Sequence, residues 1–211
     1  MGVMSSDAHL GDDVSHPLAN VPTECYEILR HPRRLRVLEI LGARGTRLSL
    51  SELTTALLER AATDDHTDRR RREVRISLVH NHLPRLADYD ILEWDEDGVA
   101  LVDESPVHPA DLSVLLDLCG DGDGAELLET LVDPARMRLL SVLADSDRPQ
   151  SVEQLAGRLA TTDGGPFVDP DRAAIALHHS HLPAMAAVDV LNYDPESGLV
   201  TRYADAVSIV Q

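Results

Sequence analysis

The sequence predicts a mostly α fold with small β-hairpins, α+β in class, built twice in tandem. Three observations lead there. The stretch Ile76-Ser77-Leu78-Val79-His80-Asn81-His82-Leu83-Pro84-Arg85-Leu86-Ala87 returns 99 residues later as Ile175-Ala176-Leu177-His178-His179-Ser180-His181-Leu182-Pro183-Ala184-Met185-Ala186. An earlier pair, Leu29 to Leu41 and Leu131 to Leu143, repeats with an offset of 102. Apolar residues fall at helical spacing in both pairs, and a short strand pattern with a turn follows each copy of the later stretch.

The elements follow in order. Met1 to Asn20 is polar and broken by Gly2, Gly11 and Pro17, which suits a disordered tail ending near residue 22. Thr23 is placed to cap a short helix carrying Tyr26, Ile28 and Leu29, with Glu24 in its first turn. Pro32 opens a second helix with Leu35, Leu38 and Leu41 on one face, and Gly42 and Gly45 are read as its stop. Ser49 or Ser51 caps a third helix that turns Leu53, Leu57 and Leu58 inward. Ala61 to Arg72 shows no apolar period and reads as a loop ending in Arg69-Arg70-Arg71-Arg72. The repeated stretch then forms a helix, with Ile76, His82, Leu83, Leu86 and Ala87 expected on its packed side.

Asp90-Ile91-Leu92 suits a turn entering a strand that carries Trp94; Asp95-Glu96-Asp97-Gly98 is a hairpin turn by composition, and Val99, Leu101 and Val102 return. The last three of these helices and the hairpin, in this order, make a winged helix. Pro109 starts a linking helix through Leu112, Leu115, Leu116 and Leu118, placed to pack between the halves or against a second chain, and Gly120 to Gly124 reads as flexible linker. The second half repeats the plan, with Leu155 for Leu53, Leu159 for Leu57 and Tyr193 for Trp94. A shorter loop, Thr161 to Asp171, accounts for the change of offset. The expected division is a tail over 1–22, winged-helix domain 1 over 23–104, linker over 105–124, domain 2 over 125–205 and a tail over 206–211.

Thirty-seven acidic residues oppose nineteen basic ones for a formal net charge of -18, and every basic residue is Arg. Excess carboxylate without Lys looks like adaptation to multimolar salt, so acidity says little about partners. Counterion release also loses its driving force in such salt, leaving base contacts and packing to carry more of any DNA binding. Cys25 and Cys119 lie far apart without CxxC spacing, so neither zinc finger nor disulfide framework is indicated. No signal peptide and no membrane-length apolar run is seen; the expected location is cytoplasmic.

His31-Pro32-Arg33-Arg34-Leu35-Arg36-Val37-Leu38, with its twin Asp133-Pro134-Ala135-Arg136-Met137-Arg138-Leu139-Leu140, resembles the opening helix of ArsR-type winged-helix regulators and their haloarchaeal tandem relatives. His82-Leu83, Leu86 and Asp90-Ile91-Leu92, with His181-Leu182, Met185 and Asp189-Val190-Leu191, is similar to that family's recognition helix running into the wing. The resemblance implies a DNA-binding transcriptional regulator. Two departures stand out: the family's cysteine metal motif is absent, and Pro84 and Pro183 each remove a helical hydrogen bond and crowd a carbonyl, so a kink or restart is expected in both halves.

A helix read into the major groove places its N-terminal residues on base edges and surrounding cations on phosphates. Candidate DNA contacts are Arg69, Arg70, Arg71, Arg72, Arg75, Ser77, Asn81 and Arg85 in the first repeat, and Arg172, His178 and Ser180 in the second. Thirteen of the nineteen arginines lie between Arg30 and Arg85, so domain 1 is expected to grip double-stranded DNA. His80 and His82 are wrongly spaced to chelate from a regular helix. His178 and His181 are suitably spaced but lack a third ligand, so no metal or cofactor is assigned. His82 and His181 are read instead as packed rings with a nitrogen bonded to backbone. No catalytic motif is present, and the chain is not read as an enzyme. The competing reading is a winged-helix module that docks proteins of the transcription or signalling machinery without touching DNA, which the acidic surface also fits.

Overall fold

A computed structural model describes residues 18, 20–60, 68–118, 124–146, 148–161 and 166–202. The first half begins earlier than expected. Leu18 and Val21 are buried, and the Leu18 carbonyl accepts a 3.0 Å hydrogen bond from the Tyr26 hydroxyl. Burial and the nearby Asp133 push that phenol up to about 12, so it remains a neutral donor. Thr23 makes no cap; it lies inside a 3-10 turn, Thr23–Cys25, ahead of α1 (Tyr26–Leu29).

Helix α2 (Pro32–Arg44) starts where Pro32 has no N–H to satisfy and His31 Nδ1 accepts from the Arg33 amide at 3.1 Å. It buries Leu35, Val37, Leu38, Ile40 and Leu41 and runs through Gly42, stopping only at Gly45, whose φ of 62° closes it. Gly42 is there for another reason: a Cβ would come 2.5 Å from Pro109 Cγ, so the linker can lie on α2 only at a glycine. Helix α3 (Leu50–Arg60) opens with a reciprocal cap. Ser49 Oγ accepts from the Glu52 amide, and the Glu52 carboxylate accepts from the Ser49 amide.

Helix α4 (Asp68–Ser77) begins before the arginine run, so Arg69 to Arg72 are helical rather than part of a loop. The rest of the expected loop, residues 61–67, lies outside the described residues, as do the expected tail before Leu18, Ala19, residues 119–123 with Cys119, residues 162–165 and the tail at 206–211. After Ser77 the helix widens to a π turn (Leu78–His82), in which the Leu83 amide bonds the Leu78 carbonyl five residues back, and resumes as α5 (Leu83–Ala87) with Pro84 in its first turn. The wider turn gives the Pro84 ring room beside the preceding carbonyls, which is the restart that the proline demanded. The second half does the same with a π turn over Leu177–His181 ahead of Pro183. Asp90 and Asp189, at φ 53° and 56°, then reverse the chain into the strands at matching places.

Strands β1 (Leu92–Asp95) and β2 (Gly98–Leu101) pair antiparallel, and Leu48 bridges to Val99. The linker follows as a 3-10 turn (Pro109–Leu112) and α6 (Ser113–Leu118), packed on α2 and on α7 (Gly124–Leu131). In the second half come α8 (Pro134–Ala144), β3 (Gln150–Ser151), α9 (Val152–Ala160), α10 (Pro170–Ala176), α11 (Leu182–Ala187), β4 (Leu191–Asp194) and β5 (Leu199–Arg202). Helix α10 starts inside the stretch read as loop because Asp169 accepts from the Arg172 amide at 2.9 Å. The sheet order is β3-β5-β4; its third strand, like the Leu48 bridge, went unread because it is two residues long.

One cluster of buried apolar side chains includes both halves and Leu112 and Leu115 of the linker. Across the join, Arg30 Nε donates to the Val132 carbonyl at 2.7 Å, and its guanidinium lies 3.4 Å from Asp133. Positions 30 and 132 correspond in the two repeats. Equivalent positions therefore touch, as residues on a two-fold axis do.

Candidate nucleic-acid interface

Arg69, Arg71, Arg72, Arg75 and Ile76 are exposed on α4, while Val74 and Leu78 face the core. At 3.6 residues per turn, Arg69, Arg72, Arg75 and Ile76 fall within an arc of about 120°. Ile76 therefore points outward, at 52% exposure, against its expected place on the packed side; its counterpart Ile175 is 63% exposed. The sequence placed Ile76 inward because apolar spacing cannot show which way the flanking residues turn a helix.

The arginines are not equivalent. Arg69 pairs with Glu73 at 2.9 Å, one turn along and open to water, which is worth a few tenths of a kcal/mol at about 0.3–0.5 for such pairs. Arg71 donates to Thr55 Oγ1 of α3 at 2.7 Å. Arg70 is half-buried and adds its charge to that of Arg33. Arg72 and Arg75 reach outward, as do Asn81 and Arg85.

Ser77 does not belong to this surface. It is half-buried, and its hydroxyl lies 3.0 Å from Arg33 Nη1 and 2.9 Å from His82 Nε2. The His82 ring, 1% exposed, is thus bonded to a side chain and not to backbone as expected. It packs edge-on against His31 with centroids 4.6 Å apart. Burial first, then the charges of His31, Arg33, Arg34 and Arg85, push His82 down to about 3, so its imidazole is neutral. Arg34 is buried too, donating to the Ile28 carbonyl at 2.9 Å. Its counterpart Arg136 donates to the Thr130 carbonyl, so this pair of arginines is structural in both repeats.

The second repeat offers much less charge. Arg172 is exposed but sits 3.6 Å from Asp169. His178 is half-buried and bonded to the Tyr193 hydroxyl, which ties it to the hairpin instead of leaving it to read a ligand; Ser180 is exposed. His181 Nδ1 lies 3.8 Å from Asp133, and burial pushes the ring below the usual imidazole range, outweighing that carboxylate. Among the described residues no three His, Cys, Asp or Glu side chains are grouped to hold a metal ion, and no helix is long and apolar enough to cross a membrane.

The residues missed from the sequence are His31 and Arg33. The signal was present in the repeat itself: position by position, the second copy has Asp133 for His31, Ala135 for Arg33, Asp169 for Arg70, Ala176 for Ser77 and Ala184 for Arg85.

Two copies of a helical unit closed by an antiparallel hairpin, one with arginines along the exposed face of α4 and one without them on the matching α10, define a tandem-repeat protein. The chain belongs to the DUF7344 family, a domain of unknown function, which matches it twice, over residues 26–101 and 128–201. No curated protein and no solved structure matches it.

Proposed function

We propose that the protein is a cytoplasmic DNA-binding transcriptional regulator, built of two ArsR-like winged helix-turn-helix domains, whose first domain makes most of the DNA contacts. The observation that carries this reading is the outward face of α4. In a chain of net charge -18, Arg72, Arg75 and Ile76 stand together on one exposed helix, with Asn81 and Arg85 beyond. Arginine forks suit guanine edges and phosphates, the Asn81 amide suits adenine, and an exposed isoleucine suits a thymine methyl. The β1–β2 hairpin stands as the wing. The contact between positions 30 and 132 supports a pseudo-two-fold in which one chain takes the place of a dimer, the arrangement that reads paired half-sites. A homodimer would double that arrangement.

The test is genome-wide occupancy in high salt. Replacing Arg71, Arg72 and Arg75 by Ala should abolish sequence-specific peaks while leaving the protein folded, since all three are exposed. Unchanged occupancy would place DNA on another surface. A docking module without DNA remains the second reading, favoured by Ile76 and Ile175 standing exposed at the same place in both repeats; it predicts no occupancy even for the unaltered protein.

A further inference from the structure

We infer that the cleft between the C-terminal end of α2, the first hairpin and the start of the linker binds a small organic amine, whether or not α4 meets DNA. The cleft holds about 490 Å³, within the roughly 300–1,000 Å³ of small-molecule sites. Backbone positions shape it. Pro109 lies on Gly42, where only a glycine lets it approach, and sets one wall. Gly45, at φ 62°, lines another part, and a Cβ there would meet nothing within 4 Å. The hairpin closes the remaining side with Glu93 and Ala100, which are paired in register across β1 and β2.

The lining is sorted by depth. Leu41 and Val107 are buried, and Leu101 and Pro109 half-buried, so the base is apolar. Thr46, Arg47, Glu93, Asp103 and His108 are exposed and make the rim. An occupant therefore needs an apolar body and a polar end.

The rim sets the sign of that end. The Arg47 guanidinium is already engaged: it donates to Asp95 at 2.9 Å and to the Gly98 carbonyl at 3.1 Å, and it pairs with Glu93. An anionic ligand would have to draw it from two carboxylates. Among the described residues nothing pairs with the Asp103 carboxylate. Gly42 and Gly45 bring in the C-terminal end of α2, the negative end of its dipole. His108 Nδ1 accepts from the Ala110 amide at 3.3 Å, so its neutral ring offers only an N–H at Nε2. Open acceptors over an apolar base suit an ammonium on an apolar stem. A molecule seated there touches helix, hairpin and linker together, and the linker runs on into α6, packed against α7 of the second half. Its binding would tie the position of the first hairpin to the join between the halves.

The test titrates benzylamine into the isotope-labelled full chain in concentrated KCl and follows backbone amide resonances. Saturable shifts at millimolar benzylamine should centre on Gly45, Ala100 and Asp103. Benzyl alcohol and benzoate, which carry the same ring, should each bind at least about threefold more weakly, the scale of one exposed charge pair. Asp103→Asn should weaken benzylamine by about the same threefold. Glu96→Gln, which removes the same charge from the hairpin turn outside the cleft, should leave it unchanged. Ala100→Leu should fill the cleft and abolish the Gly45 and Asp103 shifts, while resonances elsewhere stay in place and show the chain folded. Shifts that never saturate, that are equal with benzyl alcohol, or that persist in Ala100→Leu would overturn the site, as would an affinity unchanged in Asp103→Asn. The Arg72→Ala, Arg75→Ala double variant should keep the benzylamine response even if duplex binding fails, so the two readings fail separately.

Discussion

Alanine at position 98 should detach the first hairpin from the helices, costing about 2–5 kcal/mol as the sum of backbone strain and overpacking. Gly98 closes the turn opposite Asp95 with φ 135°, a conformation L side chains rarely adopt, and a Cβ there would overlap the Leu48 carbonyl. That carbonyl accepts the Val99 amide at 2.8 Å, while the Leu48 amide donates to the Val99 carbonyl at 2.9 Å. Room for the methyl thus requires giving up the bridge that fixes the hairpin beside α3. Arg47 would loosen with it, since it donates to Asp95 at 2.9 Å and to the Gly98 carbonyl at 3.1 Å. Gly198 is the comparison: its φ is 67°, but a Cβ there would meet only Val152 Cγ2 at 4.0 Å, so Gly198→Ala should cost about 1–2 kcal/mol, the left-handed penalty alone. Denaturant midpoints of the two variants measure this directly, and equal losses would show that the Leu48 bridge does not hold the hairpin.

The second large effect is acid sensitivity above the carboxylate range. His82 is held neutral down to about 3 in the folded chain, whereas in the unfolded chain it takes a proton near 6.5. Below about pH 6.5 the unfolded state therefore binds a proton that the folded state refuses, so stability falls as pH falls. Each such histidine contributes a slope of up to about 1.4 kcal/mol per pH unit. From about pH 6.5 to about pH 4.5 the loss from His82 should reach about 2–3 kcal/mol. His31 and His181, both lowered mainly by burial, act in the same direction. Glu52 and Asp194 are also lowered, by bonds to serine and backbone donors, but they lose their contribution only nearer the carboxylate range. His82→Gln should flatten the upper window in urea titrations at fixed salt. A slope unchanged in that variant would mean His82 is protonated in the folded chain.

The duplication, the helices carrying Leu35, Leu38 and Leu41, the Ser49 cap and the hairpin turns were legible because each rests on local spacing or local chemistry, whereas the expected Thr23 cap failed. The proline restart was legible for the same reason, since Pro84 and Pro183 remove a hydrogen bond wherever they stand. What the residues did not disclose depends on distant partners. Gly42 looks like a helix stop until Pro109 is seen lying on it. Ile76 looks like core until its helix is seen to turn Val74 and Leu78 inward. Ser77 looked available for bases, but Arg33, 44 positions away, and His82 claim its hydroxyl. The start of α4 at Asp68 escaped because four successive arginines carry no apolar period. Arg72, Arg75, Asn81 and Arg85 are exposed.

The proposed function is asymmetric: of two repeats of one plan, the first is expected to meet the duplex. Equilibrium titration of a fluorescent duplex in concentrated KCl tests it, comparing the unaltered chain with the Arg72→Ala, Arg75→Ala double variant and with Arg172→Ala. Affinity should fall at least about tenfold in the double variant, on the order of 1–3 kcal/mol for each good base contact, and stay within about twofold in Arg172→Ala, whose loss removes at most one screened phosphate contact. Equal loss in both, or a greater loss from Arg172→Ala, would contradict it.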